Sequence, residues 1–329
     1  MDYLRDSILA TLAYYDILDM SLTHLEVYKF LINPARVYRS SEEIKDASLH
    51  DVIAMLAKMV KSETIGQKNG FYFLPRKDEL YDLRIAREKI ATQKWKKMMS
   101  LAKWFAIVPY LRGLFASGSM AVGNVNEKSD FDILVISKSG RLYTARLFLY
   151  LVASLMRSRR GRYDKIAPNK FCLNHHIIDT KLRLEHESLF NAQTYASLKP
   201  ILIEQDLFNS FYSANNWINK FVCNFKPNSD FVERRLVPNK FLGVVAKAME
   251  SLLNNRLGDL IEKILRNYQQ RRIRNNPVTY ATKGRIIFND VELEFHPYSF
   301  EASVVRDYND KVHRLGLLPP FEERDSGLK

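Results

Sequence analysis

The sequence predicts a mixed α/β protein, on three observations. Apolar residues recur at helical spacing and then give way to a short hairpin over residues 1–77. Apolar strands alternate with helices over 108–180, and residues 181–329 read as mostly helical with a short strand pair near 285–296. A charged helical linker over 78–107 joins the first part to the second. The 329 residues exceed one average domain, and the composition, 47% hydrophobic and 26% charged, excludes a mainly disordered, collagen-like or disulfide-stapled chain. Lys and Arg number 50 against 37 Asp and Glu, and the resulting +13 favours a polyanionic partner such as nucleic acid or nucleotide phosphate. Cys172 and Cys223 are too few for a disulfide framework and too isolated for a metal site, which fits a reducing compartment. The N-terminus lacks the pattern of a signal peptide, and the most apolar stretch, 147–156 between Arg146 and Arg157, falls well short of the roughly 20 residues that span a bilayer. A cytoplasmic protein without membrane contact is expected, with that stretch a buried helix.

In the N-terminal part, Leu4, Ile8, Leu9, Leu12 and Tyr15 predict a first helix. Thr23 and Glu26 have capping-box spacing before Val27, Phe30 and Leu31, and Ser48 with Asp51 starts a third helix through Val52, Met55, Leu56 and Met59. Strands at 64–66 and 70–74 follow, joined by a turn at Gln67, Lys68 and Asn69. Three helices and a basic-tipped hairpin make a winged-helix pattern, which contacts nucleic acid or docks protein; the third helix carries few basic residues on its exposed face. Arg84, Arg87, Lys89, Lys94, Lys96 and Lys97 of the linker are expected on a solvated face. Farther along, Trp217, Phe221, Leu242, Val245, Leu252, Leu260 and Leu265 have core-like spacings, and Asn215, Asn216 and Trp217 supply either base contacts or core. The run from Arg266 to Arg274 is the most concentrated basic patch in this region, a phosphate grip or an exposed helix end where cations suit the macrodipole. Glu294 and His296 share a strand face as a second polar pair, followed by a helix and a Pro-containing tail.

The chemistry concentrates in one stretch. An apolar strand runs into Gly118 and Ser119, ten residues intervene, and Asp130, Phe131 and Asp132 open a second apolar strand. Alternation puts Asp130 and Asp132 on one face and Phe131 on the other. Two carboxylates presented together form a divalent-cation site, and hard oxygen ligands suit Mg2+ or Mn2+. Gly118 has no side chain to block a phosphate, and Ser119 adds a hydroxyl beside N–H groups at a helix start. A phosphate cradle ahead of a metal-binding Asp-x-Asp is what phosphoryl or nucleotidyl transfer needs, because that chemistry rests on positioning and neutralising charge.

Gly118, Ser119, Asp130 and Asp132, with the run from Ser129 through Leu134, resemble the nucleotidyltransferase superfamily that includes DNA polymerase beta, the CCA-adding and poly(A) polymerases, aminoglycoside nucleotidyltransferases and small toxin-antitoxin nucleotidyltransferases. The resemblance covers about residues 108–180. It implies an α+β nucleotidyltransferase core with a mixed sheet, flanked here by a winged helix and a helical C-terminal domain. It further implies transfer of a nucleoside monophosphate from a nucleoside triphosphate to a hydroxyl of RNA, tRNA, DNA, protein or a small molecule, with release of pyrophosphate. Asp130 and Asp132 would bind Mg2+ or Mn2+ and carry catalysis, while Gly118, Ser119 and Ser129 would face the nucleotide. The family's third carboxylate is in doubt, since the strand at 170–178 has no acid until Asp179. Alternation groups Cys172, Asn174, His176 and Ile178, so Asn174, His176 or Asp179 takes that place, with Asn174 assigned to it here. The basic loop with Arg157, Arg159, Arg160 and Arg162 is placed to approach phosphates. The rival reading is a catalytically weakened, nucleotide-sensing regulator that binds nucleic acid.

Overall fold

Leu4, Ile8, Leu9 and Leu12 turn inward on the first helix, α1 (Asp2–Ile17), as their spacing predicts. The computed structural model describes residues 2–37, 47–161, 164, 166–227, 235–236, 239–280, 284–297, 299–317 and 322. The Pro-containing tail at 318–321 lies outside them. After β1 (Leu22–Thr23), the Thr23 hydroxyl accepts from the Glu26 N–H while the Glu26 carboxylate accepts from the Thr23 N–H, and this reciprocal cap starts α2 (His24–Lys29). Ser48 and Asp51 cap α3 (Leu49–Lys61) in the same way.

The hairpin departs from expectation. β2 (Gly66–Lys68) and β3 (Phe71–Phe73) are joined by Asn69 and Gly70, at φ of 50° and 83°, so Gln67 and Lys68 belong to the strand. Asn-Gly tolerates positive φ at both positions, and a turn of that hand matches the twist of the flanking strands. β1 joins them in a three-stranded sheet of order β1-β3-β2.

The helix α4 (Glu79–Ala102), followed by a 3-10 turn at Lys103–Ile107, is only partly the solvated linker expected. Lys89, Lys96 and Lys97 are exposed, but Arg84 and Lys94 are buried. Arg84 pairs with Glu26 and Glu88 at 2.7 and 2.8 Å, and Arg87 donates to the Asp19 carbonyl and Asn124 Oδ1, each at 2.7 Å. Their aliphatic stems cover apolar surface while the heads reach fixed acceptors.

The main sheet takes β4 (Leu111–Ala116), β5 (Phe131–Ser137), β6 (Phe171–Ile178), β7 (Lys199–Ile203), β8 (Arg285–Phe288) and β9 (Glu292–His296), in the order β7-β4-β5-β6-β9-β8. Among these described strands, only β5 and β6 run parallel. Between them the chain forms α5 (Gly118–Val122), α6 (Leu142–Leu155), α7 (Leu189–Ala196), α8 (Gln205–Ala214), α9 (Lys240–Leu253) and α10 (Arg256–Arg274), and α11 (Glu301–Arg314) follows. The strand β7 is an addition to the reading of 181–329 as mostly helical with one strand pair near 285–296. Lys199 to Ile203 is a short apolar run without useful periodicity, and its Pro200 is tolerated because β7 is an edge strand. A domain boundary at residue 180 would therefore cut one sheet, which needs strands on both sides of it.

One sheet face, with Phe115, Leu134, Ile136 and Ile177, forms a single apolar cluster with α7, α8, α11 and the N-terminal helices; the rings of Tyr14 and Tyr308 meet edge-on at 6.1 Å. The other face, with Leu114, Ile133, Val135 and Leu173, packs on Trp95, Met98 and Phe105 beneath α4 and on Leu149 of α6. Trp217 and Asn215 are buried and hydrogen-bonded to each other at 3.0 Å, which resolves that segment as core. Other expectations fail. Leu155 on α6 is 85% exposed, and Leu252 and Leu260 are 73% and 52% exposed, so the 147–156 helix is buried on one side only. Among the described residues, no helix is long and apolar enough to cross a membrane.

Candidate functional site

Asp132 lies on β5 against the turn that leaves β4. The Ser117 N–H donates to the Asp132 carbonyl at 2.9 Å, which ties the two strand ends together. Gly118 follows at φ +60°, and a Cβ there would stand 2.6 Å from Asp132 Oδ2. The backbone at 118 thus approaches the carboxylate more closely than any other residue type allows. Ser119 is the second residue of α5, and Ser117 caps that helix without a side-chain hydrogen bond, leaving the first-turn N–H groups without that partner. Gly118→Ala is expected to cost about 1–2 kcal/mol from the left-handed backbone alone and to displace the Asp132 carboxylate. Thermal unfolding and divalent-ion binding of the variant check both effects.

Asp130, Asp132 and Cys172 each offer a ligand atom within 4.8 Å of the others. Asp132 pairs directly with Cys172 across the β5–β6 ladder. Arg160 forms an ion pair with Asp130, and its Nη1 also lies 3.5 Å from Cys172 Sγ. Burial, and then the neighbouring Asp130 carboxylate, push Asp132 up to about 7, against the opposite pull of Arg160 and the Cys172 thiol. Burial and the same two carboxylates raise the Cys172 thiol well above its usual range, so it remains a neutral, weak donor. Two hard oxygen ligands, one of them already paired with a guanidinium, describe a place that attracts positive charge, and Mg2+ or Mn2+ fits such a donor pair.

The loop entering this strand is held from α4. Lys94 Nζ donates to the carbonyls of Glu127 and Ser129 at 3.0 and 2.8 Å and to Asn169 Oδ1 at 3.0 Å. All three ammonium donors are used, and together they fasten the segment ahead of Asp130 to the turn before β6. Lys94→Met keeps the stem and removes the donors, and is expected to destabilise the chain by about 2–3 kcal/mol in urea titration.

No protein-family model matches the chain, and neither does any curated protein or solved structure. The site therefore stands on its own geometry, which treats the sequence candidates unequally. Gly118, Asp130 and Asp132 lie together, and Ser119 follows Gly118 in the first turn of α5. Ser129 is spent on its own loop, its hydroxyl accepting from the Asn126 N–H at 3.0 Å. Asp179 is at the wrong end of the sheet: its N–H donates to the Ser137 carbonyl, five residues and about 16 Å along β5 from Asp132 at about 3.3 Å per residue.

His176 fails for another reason. Asp132 pairs with Cys172 and Leu134 with His175, so three β6 residues span what two span on β5. This bulge shifts the alternation by one, and His175 rather than His176 shares the face of Asp132. His176 points the other way, bonded to the Leu173 carbonyl at 3.2 Å, and burial holds it well below the usual imidazole range. Asn174 sits within the bulge, 3.3 Å from His296 Nδ1.

Of the basic loop, Arg159 stacks on Tyr150 at 4.7 Å, Arg160 reaches the acids, Arg157 is exposed, and Arg162 lies outside the described residues. In the 266–274 patch Arg266 is paired with Asp290 at 2.6 Å while Arg271, Arg272 and Arg274 are exposed. At the hairpin, Lys68 bonds to Asp82 at 3.0 Å. Sequence reasoning missed Lys94 and the particular part of Arg160, for which no local signal exists. It also missed Cys172 as the partner of Asp132, which in-register pairing of the two strands would have suggested.

Proposed function

We propose that this chain is a Mg2+-dependent nucleotidyltransferase, with Mn2+ as an alternative ion, that moves a nucleoside monophosphate from a nucleoside triphosphate to a hydroxyl acceptor. The observation that carries the reading is the approach of the Gly118 backbone to the Asp132 carboxylate, with Asp130 beside it, because it puts an anion-accepting turn and a cation-accepting acid pair in contact. The ion held by Asp130 and Asp132 would neutralise charge on the phosphates and favour the ionised acceptor oxygen. The turn at Gly118 and Ser119 would hold the phosphate oxygens through its N–H groups. Arg160, released from Asp130 when a divalent ion arrives, would then be free to take an anionic oxygen. The acceptor oxygen bonds to the α-phosphorus, the bond between the α- and β-phosphates breaks, pyrophosphate leaves with that electron pair, and the acceptor proton passes to water.

The acceptor reading favoured is an RNA or tRNA end, on the +13 charge and the exposed Arg271, Arg272 and Arg274. Neutral Cys172 opposite Asp132, where a third acid would strengthen a second ion position, favours the other reading, a nucleotide-sensing regulator. Incubation with each α-labelled triphosphate, Mg2+ or Mn2+, and RNA, protein or no acceptor tests the proposal. Label in one acceptor fraction supports transfer; metal-dependent nucleotide binding without transfer would leave only the sensor. RNA affinity is expected to fall steeply between 50 and 200 mM salt, by about tenfold or more, and a flat response would count against a nucleic-acid partner.

A further inference from the structure

A second group of chemistry-bearing side chains lies deeper in the sheet, where β9 meets β6. His175 pairs with Glu294 and Ile177 with Glu292, so His175, Glu292 and Glu294 project from one face. We propose that these three residues bind a divalent first-row transition ion, Zn2+ foremost, that fastens the β8–β9 hairpin to the rest of the sheet.

One imidazole nitrogen and one oxygen from each carboxylate already lie within 4.8 Å of one another, and all three residues are buried. His175 Nε2 is 3.0 Å from Glu292 Oε1, a separation that two ligands of one small cation also adopt. Glu294 supplies the independent indication. It is 3% exposed, its Oε2 is buried with no hydrogen-bond partner and lies 3.6 Å from Arg285 Nε, and its Oε1 lies 3.7 Å from the His296 ring. A buried carboxylate oxygen left without a hydrogen bond is costly, and direct ligation would remove that cost.

Charge leads to the same place. Glu301 is committed elsewhere, to Arg285 at 2.6 Å and to the Ser188 hydroxyl at 2.6 Å. Three buried carboxylates, Glu292, Glu294 and Glu301, face the Arg285 guanidinium and the His175 imidazole, an excess of acid that a divalent ion would offset. An imidazole with two carboxylates and no sulfur selects Zn2+, Mn2+, Fe2+ or Co2+ over Cu(I), and the imidazole disfavours Ca2+ and Mg2+. The site shares no residue with the Asp130 and Asp132 pair, and its ligands come from strands that sequence order keeps more than a hundred residues apart.

The test uses the full chain, stripped with a chelator and carrying Asp130→Asn and Asp132→Asn so that the first acid pair is silent. Zn2+ titration by calorimetry is expected to show one ion per chain and a rise in melting temperature by mass action. Glu294→Gln and His175→Gln, checked for an unchanged circular dichroism spectrum, are each expected to weaken Zn2+ by more than about 100-fold. A second measurement covers poor folding of any variant: Co2+ added to the wild-type chain with millimolar Mg2+ gives visible d–d bands without sulfur charge transfer. Absence of stoichiometric binding, equal affinity in the Glu294→Gln chain, or a sulfur-to-cobalt band that places the ion at Cys172 would each overturn the proposal.

Discussion

Asp132→Asn is expected to leave the fold intact and to lower the proposed nucleotidyl transfer by about a thousandfold or more, since the charge that would hold the ion at the reacting phosphates is gone. The same substitution raises stability at alkaline pH. Asp132 is pushed up to about 7 in the folded chain, against 3.8 for an unperturbed aspartate. Between those two values the folded chain keeps a proton that the unfolded chain has released. The contribution of this group is therefore fully present below pH 3.8, declines as pH rises, and is lost above about 7. The metal-free wild-type chain should lose stability across this window relative to the Asn variant. The gap spans about three pH units, and after discounting for partial exposure the variant gains about 1–2 kcal/mol at pH 8. Urea titrations at pH 4, 6 and 8 measure the slope, and label transfer measures the activity. Transfer at the wild-type rate by both Asp130→Asn and Asp132→Asn would sink the site assignment, and a pH-independent difference in stability would sink the electrostatic account.

Arg285→Met is expected to cost about 3–5 kcal/mol of stability in metal-free protein. Arg285 is 3% exposed and stands between Glu301, at 2.6 Å, and Glu294, at 3.6 Å. Methionine fills much of the volume and leaves the two buried carboxylates without their shared cation, so the penalty comes from stranded charge more than from lost packing. Adding Glu301→Gln to the variant removes one stranded charge and should recover part of the loss. A change below about 1 kcal/mol on urea titration would overturn this account of Arg285.

The two effects concern residues of very different legibility. Asp132 is visible because the Gly118–Ser119 turn and the Asp130–Asp132 pair are separated by only ten residues, and strand alternation fixes which side chains meet. Arg285 reads only as part of a short strand pair, and Glu294 only as the strand-face partner of His296. Their meaning depends on β9 pairing with β6 more than a hundred residues earlier and on α11 bringing Glu301 underneath. Neither contact leaves a trace in local pattern. The bulge in β6 is a sharper case: one extra residue between Cys172 and His175 exchanges the faces of His175 and His176, and spacing alone assigns the wrong histidine.

The sequence by itself determined what rests on neighbours along the chain: the reciprocal caps at Thr23 and Ser48, the inward faces of α1 and α3, and the cradle-then-acids order of the candidate site. Tertiary structure alone decided that β7 is a strand, that Lys94 and Arg84 are buried, that Arg160 reaches Asp130, and that the third position beside Asp132 is taken by a thiol. The physical reason is range. Caps and helical faces are set by groups a turn apart, whereas strand register and buried charge pairs are set by whichever distant segment completes the sheet and the core.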